Sequence, residues 1–462
     1  MKKIFQLAAC LAMLNTANAQ VGIGISTPNT NAALDISSIN KGLLIPRLAL
    51  NATNVASPLL NFVEGMMLYN TATSGVAPNN VVPGFYINDG TKWLNISAPS
   101  FWGLNGNAGT TVANFIGTSD VTPLYFKVNN QKSGEIDLVS RNTGLGFRAL
   151  FSNIAGNNTA VGFDAMNQNS GGFNNTAVGS GSLSSNISGN NNTTVGKAAM
   201  ASNTTGLSNS AFGVNALNAN ISGQRNTAIG NNALVNNQFA SRNTATGFQS
   251  LFYDSLGNNN AAFGYNALLF NGAGSFNNAF GDSTLFFSTS GNYNTAIGHQ
   301  ALANNTTGNN NIAIGARANV PSATNDNQVR IGDANITYAG VQVAWTITSD
   351  SRWKSEIENS NLGLNFISQL RPVSYFRNND KSRKSEYGFV AQEVEEALIN
   401  SGVSNTGIIS KDDAGMYSIR YNDFTATVVK AIQEQQVIIT QQAKEIKELR
   451  AMMDKIKDHS GK

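Results

Sequence analysis

Charge is the first thing this chain is short of. Only 12% of its 462 residues are Asp, Glu, Lys or Arg, about half of ordinary usage. The net charge of +3 is too small to favour nucleic acid or an anionic membrane surface as a partner. Cysteine occurs once, at Cys10, and histidine twice. Cys10 falls in an N-terminal leader, so disulfides and thiol chemistry are excluded from everything after it. Beyond the leader no apolar run is long enough to span a bilayer. The leader reads as a secretory signal: Lys2-Lys3, an apolar run from Ile4 to Leu14, then Ala17-Asn18-Ala19 ahead of Gln20. A lipoprotein site at Leu7-Ala8-Ala9-Cys10 is the rival reading, disfavoured because Cys10 comes early and apolar residues continue past it. Cleavage is expected after Ala19, leaving a chain that is secreted or held at the cell surface.

The charges that are present are unevenly placed. Residues 142–318 carry five basic side chains and three Asp, whereas residues 349–462 carry sixteen basic and sixteen acidic ones. Two physically different regions share one chain. In the first, a Gly recurs at 162, 179, 196, 213, 230, 247, 264, 281, 298 and 315, a strict period of 17, with an eleventh copy at Gly146 offset by 16. The residue before it is Val, Ile, Phe, Leu or once Thr246, and the residue four after it is Leu or Met until Asn319 ends the series. Ten after it stands another Gly in most copies, broken at Ala240. Period and composition indicate stacked β coils, with Gly at turns that need positive φ and Asn, Ser and Thr between them. The two large apolar columns are expected to form internal ladders. At about 4.8 Å per coil the eleven copies make a rod of roughly 50 Å. So thin a core favours several chains associating around an axis.

Little else in the array suggests chemistry. Calcium-binding β-roll repeats need regularly placed Asp, and a glycosidase cleft needs paired carboxylates. Asp164, Asp254 and Asp282 fall in different copies, so neither is expected. His299 is a lone histidine, and no cofactor or metal site is expected anywhere. The unit Asn-Thr-Ala-Val/Ile-Gly-x-x-Ala-Leu resembles the head repeats of trimeric autotransporter adhesins and the shafts of phage tail fibres over residues 142–319. Upstream, the phrases Val21-Gly22-Ile23-Gly24, Ala33-Leu34-Asp35-Ile36, Lys41-Gly42-Leu43-Leu44-Ile45-Pro46-Arg47 and Gly65-Met66-Met67-Leu68-Tyr69-Asn70-Thr71 indicate short strands and turns. They are similar to the leader regions of secreted bacterial tail-fibre-domain proteins. Tyr86, Trp93 and Trp102 could stack on sugar rings, although core packing is the commoner fate of such aromatics.

From Ser349 onward the order is Ser349-Asp350-Ser351-Arg352-Trp353-Lys354, Leu370-Arg371-Pro372-Val373, Tyr387-Gly388-Phe389-Val390-Ala391-Gln392-Glu393-Val394, Ile419-Arg420-Tyr421 and Ala431-Ile432-Gln433-Glu434. These phrases resemble the C-terminal intramolecular chaperone and auto-processing domain of phage tailspikes, including endosialidases; a related domain occurs in a eukaryotic myelin regulatory factor. The resemblance implies a self-cleaving dyad of Ser349 as nucleophile and Lys354 as base, with the cut between Ser349 and Asp350. A serine hydroxyl does need a nearby base, and neutral lysine can serve. Attack on the carbonyl of Thr348, through a five-membered ring, is the geometric alternative for the bond broken. The plainer reading of the same residues is a helix start, with Ser349, Asp350 or Ser351 as N-cap. Gln392 and Glu393 fit either a supporting role near the site or helix-start packing. Ile432, Gln435, Ile439, Gln442, Ile446, Leu449, Met453 and Ile456 then recur at spacings of three and four, a coiled-coil seam.

The whole reads as mainly β: a trimeric β-solenoid shaft of 17-residue repeats, then a small α+β chaperone domain and a C-terminal coiled coil. Expected boundaries are 1–19 signal peptide, 20–100 β-rich head, 101–141 β connector, 142–319 solenoid, 320–348 β linker, 349–430 auto-processing domain and 431–458 coiled coil. Expected partners are two further copies of the chain and an extracellular or cell-surface glycan, with no nucleic acid and no membrane span.

Overall fold

The computed structural model describes residues 20–96, 115–404 and 406–460. The leader and Trp102 lie outside them. The chain divides into two compact units between Gly117 and Thr118.

In the first unit, Val21–Ile23 pairs in parallel with Leu34–Ile36. A separate four-stranded sheet joins Arg47–Leu48, Met67–Asn70, Gly84–Asn88 and Trp93–Asn95. Its core is Leu50, Leu68, Val81, Tyr86 and Trp93. Tyr86 and Trp93 are each 1% exposed, which removes both from any sugar-stacking surface. The Tyr86 hydroxyl accepts from Asn95 Nδ2 at 3.0 Å and donates to the Val82 carbonyl at 3.1 Å.

The second unit opens with an antiparallel hairpin, Leu124–Val128 with Gln131–Asp137, whose second strand pairs with Asn142–Leu145. The hairpin covers the edge that an open solenoid would expose. From there each coil adds one three-residue strand in parallel, Thr159 facing Thr176, Thr176 facing Thr193, and so on to Val329–Ile331. The result is a fourteen-stranded sheet.

Its interior differs from the sequence expectation in one respect. The Leu/Met column is fully buried, but its partners are two Ala columns: Ala228, Ala233 and Leu234 are each 0% exposed. The large residue before the repeat Gly points outward instead; Ile229 is 43% exposed. Side chains alternate along a strand, so with Ala228 inside, Ile229 has to face out. Leu234 adopts φ of 51°. A left-handed backbone costs roughly 1–2 kcal/mol, which burial of a leucine side chain, about 1.5–3 kcal/mol, offsets.

The two Gly columns have different physical causes. Gly196 has φ of 142°, and a Cβ there would lie 2.3 Å from the Gly213 carbonyl oxygen of the next coil. Gly206, ten residues on, is outside the left-handed region; it is excluded from change by space, with Asn203 Oδ1 2.3 Å from its would-be Cβ.

Two columns of buried Asn, read from sequence only as turn residues, hold the coils together. In the first, Asn209 donates its backbone N–H to Asn192 Oδ1 at 3.0 Å and its Nδ2 to the Gly223 carbonyl at 2.9 Å. The pattern repeats from Asn158 to Asn311. In the second, each amide Nδ2 donates to the Oδ1 one coil earlier: Asn186 to Asn169, Asn203 to Asn186, Asn220 to Asn203, Asn237 to Asn220. Asp254 occupies the next rung.

Residues 362–424 form a small α+β core of Leu362, Phe366, Val394, Ala397, Leu398, Ile408 and Phe424. Its elements are helix α1 (Leu364–Gln369), the hairpin Val373–Tyr375 with Glu386–Gly388, helix α2 (Ala391–Asn400), the hairpin Ile409–Lys411 with Tyr417–Ile419, and helix α3 (Phe424–Ser460). The turn of the second hairpin meets the last coils. Asp413 donates its N–H to the Pro321 carbonyl at 2.9 Å and accepts from the Ala323 N–H at 2.8 Å through Oδ2. Along α3 only Phe424, Thr427 and Ala431 are buried, and Glu434 Oε2 accepts the Leu364 N–H at 2.7 Å. The helix docks on its own domain as far as Glu434 and runs free beyond, its heptad residues Ile439, Ile446, Leu449, Met453 and Ile456 exposed. Among the described residues no helix is long and apolar enough to cross a membrane.

Candidate functional site

Residues 335–361 carry little regular structure and many exposed apolar side chains, among them Tyr338, Val343, Trp345, Ile347 and Ile357. Within this stretch, Ser351–Trp353 makes one 3₁₀ turn. That turn folds the chain back so that residues five apart meet: Lys354 Nζ donates to Ser349 Oγ at 2.7 Å.

Asp350 serves the same turn. Its Oδ1 accepts the Arg352 N–H at 2.9 Å, and its carboxylate takes a two-pronged ion pair from the Arg352 guanidinium, at 3.0 and 2.7 Å. The Arg352 side chain, then its backbone N–H, hold the Asp350 carboxyl below the usual aspartate range. The N-cap reading of this stretch and the hydroxyl–amine pair therefore coexist: Asp350 builds the turn that carries Ser349 to Lys354.

Ser349 and Lys354 are both exposed in the isolated chain, as is Trp353 at 84%. Lysine accepts a proton only in its neutral form, which burial favours. Trp353 supplies no such burial within one chain, and Arg352 is engaged by Asp350.

Other residues singled out by sequence lie elsewhere. Glu393, in the first turn of α2, is paired with Arg371, whose Nε donates to Glu393 Oε2 at 3.1 Å. That pair draws the Glu393 carboxyl below its ordinary range and ties α2 to the short link between α1 and the strand Val373–Tyr375. The three solenoid carboxylates do not converge: Asp164 is 3.4 Å from Arg148 Nε, and Asp282 accepts from Ser283 and lies 3.4 Å from His299. Asp254 is the residue sequence reasoning undervalued. It is 0% exposed, and burial pushes its carboxyl well above the aspartate range. The signal was present in the sequence, as one Asp in a column otherwise filled by Asn from 169 to 305, save Ser288.

Two family models match the chain. The one described as "Phage tail like trimerisation region" covers residues 22–113, and the one described as "Chaperone of endosialidase" covers residues 349–403, starting at the serine of the pair. No curated protein and no solved structure matches. The chain thus joins a phage-tail-like trimerisation region to an endosialidase-type chaperone segment through a β-solenoid, the organisation of a trimeric, tail-fibre-like protein.

Proposed function

We propose that this is an exported homotrimeric fibre with an adhesin-like structural role, whose C-terminal domain is an intramolecular trimerisation chaperone that cuts its own chain at Ser349. Long parallel ladders are slow to register and prone to slip, and a small cap that brings three chains together first addresses that difficulty. The observation that carries the chemistry is the 2.7 Å contact between Lys354 Nζ and Ser349 Oγ.

In the proposed step Lys354, once neutral, takes the Ser349 hydroxyl proton as the oxygen attacks a backbone carbonyl. The tetrahedral carbon then expels the peptide nitrogen, which takes the proton back from Lys354, and water hydrolyses the resulting ester. The attacked group belongs to the same chain, so no substrate has to be captured. Exposure of the pair in one chain supports activation on assembly, when neighbouring copies bury it. Cleavage then reports correct folding. The partner met by the fibre is proposed to be an extracellular or cell-surface glycan.

Mass spectrometry of expressed protein tests the chemistry. Two fragments meeting at residue 349 or 350 are expected, with an intact chain for Ser349→Ala and for Lys354→Ala. An uncut wild-type chain in a folded trimer overturns self-cleavage and leaves the second reading, a permanent surface adhesin with an attached trimerising cap. The Asp350 cap favours that reading, since it gives the segment a purely structural use.

A further inference from the structure

The outward column of the solenoid strands is an apolar stripe interrupted once, at Thr246. It runs from Leu145 to Ile331, one residue per coil, through Val195, Phe212, Ile229, Phe263, Phe280 and Ile297. Phe263 keeps 37% and Ile297 44% of its surface exposed, and neighbours are stacked in register, Phe263 on Phe280 with ring centroids 4.9 Å apart. The parallel column two residues earlier, Thr143 to Val329, is Thr in most coils; neither column contains a charged residue.

We infer that this stripe is the face along which copies of the chain pack on one another, parallel and in register. A stripe that repeats with the coil is matched all along its length only by a partner with the same period, and a second copy of this chain has it. The stripe also lies, in sequence, between two segments that join chains: the trimerisation region matched at residues 22–113 and the exposed heptad seam of α3. Other exposed aromatics differ in kind. The Tyr253, Phe270 and Phe287 stack spans three coils and stops, so it has no counterpart along the rest of the shaft. Three copies sharing the stripe bury one apolar layer per coil, Thr246 excepted, the second layer that a core of Leu and Ala lacks. The same packing fixes register, because a slip of one coil leaves a side chain unpaired at each end.

The inference rests on the trimeric reading, and the test separates the two. In a Cys10→Ser background no other cysteine is present, so single cysteines can be placed at Phe263, at Ile297, and, as a control on the polar face, at Arg225. Thiol labelling follows exposure. The expected result is a trimer by light scattering in which Phe263→Cys and Ile297→Cys react at least about tenfold more slowly than Arg225→Cys, with the difference abolished in denaturant. Two conservative positions are used so that one poorly folded variant does not decide the outcome. A trimer in which stripe and control cysteines react alike overturns the stripe and leaves trimerisation standing. A folded monomer of the full chain at micromolar concentration overturns both.

Discussion

Replacing Asp254 by Asn should stabilise the solenoid, and only at pH values where Asp254 is asked to ionise. In the second asparagine column each rung from Asn169 to Asn220 offers Oδ1 to the coil after it and Nδ2 to the coil before it. Asp254 keeps the first function: its Oδ1 accepts the Gly257 N–H at 2.8 Å and Asn271 Nδ2 at 3.3 Å. It lacks the second. A carboxylate oxygen stands where an amide would donate, and Asn237 Oδ1 is left without a partner. Asp254 Oδ2 accepts from Asn243 Nδ2 at 3.1 Å, an amide that also reaches the Gly257 carbonyl at 2.7 Å. A neutral carboxyl can fill the gap by donating its proton to Asn237; a carboxylate cannot.

The magnitude follows from that count. An orphaned buried acceptor costs about 1–3 kcal/mol, and the asparagine restores its partner while keeping the Oδ1 contacts. In the pH direction, burial raises the folded-state pKa of Asp254 above its unfolded value, so the folded chain binds the extra proton. Stability from this group is therefore full below the ordinary aspartate range and declines as pH rises through the window up to the raised value. Thermal unfolding of wild type and Asp254→Asn at pH 4 and pH 7.5 reads both effects. At about 2–4 °C per kcal/mol for an array of this size, the variant should melt several degrees higher at pH 7.5 and nearly level with wild type at pH 4. A wild type that gains on the variant as pH rises would refute the reasoning, because Asp254 would then be comfortable as an anion.

Two further changes probe the packing. Gly196→Ala places a methyl group 2.3 Å from the next coil's carbonyl oxygen at a φ of 142°; a conformation confined to glycine costs of order 1–3 kcal/mol before the clash is relieved, and faster hydrogen exchange in the coils on either side should report it. Glu434→Ala removes the acceptor of the Leu364 N–H, a capping loss of about 1 kcal/mol. Faster hydrogen exchange across α1 with the solenoid unchanged is the expected pattern, and equal exchange would show that Glu434 contributes nothing to the helix start.

Much of this architecture was legible in the sequence, and the exceptions have physical reasons. The 17-residue Gly spacing gave the coil directly, since at that turn a Cβ would run into the next coil's carbonyl oxygen. The interior was harder to read. Ile229 and Leu234 look alike as apolar residues, but strand alternation sets Ile229 against Ala228, and the narrow coil has room for one large side chain per layer. Asn209 and its column were present in plain view; asparagine serves turns and ladders alike, and only the stacking of coils distinguishes them. The pairing of Ser349 with Lys354 was readable through resemblance. The 3₁₀ turn that produces it, and Asp350 as its cap, required the backbone.

The contact of Asp413 with Pro321 and Ala323 joins residues on opposite sides of Ser349. Were the chain cut at Ser349 as proposed, scission of the backbone and departure of the cap would be distinct events. A cut chain would still be fastened by this clasp, and the time the cap lingers would be set by a dissociation rate rather than by the chemistry at the serine.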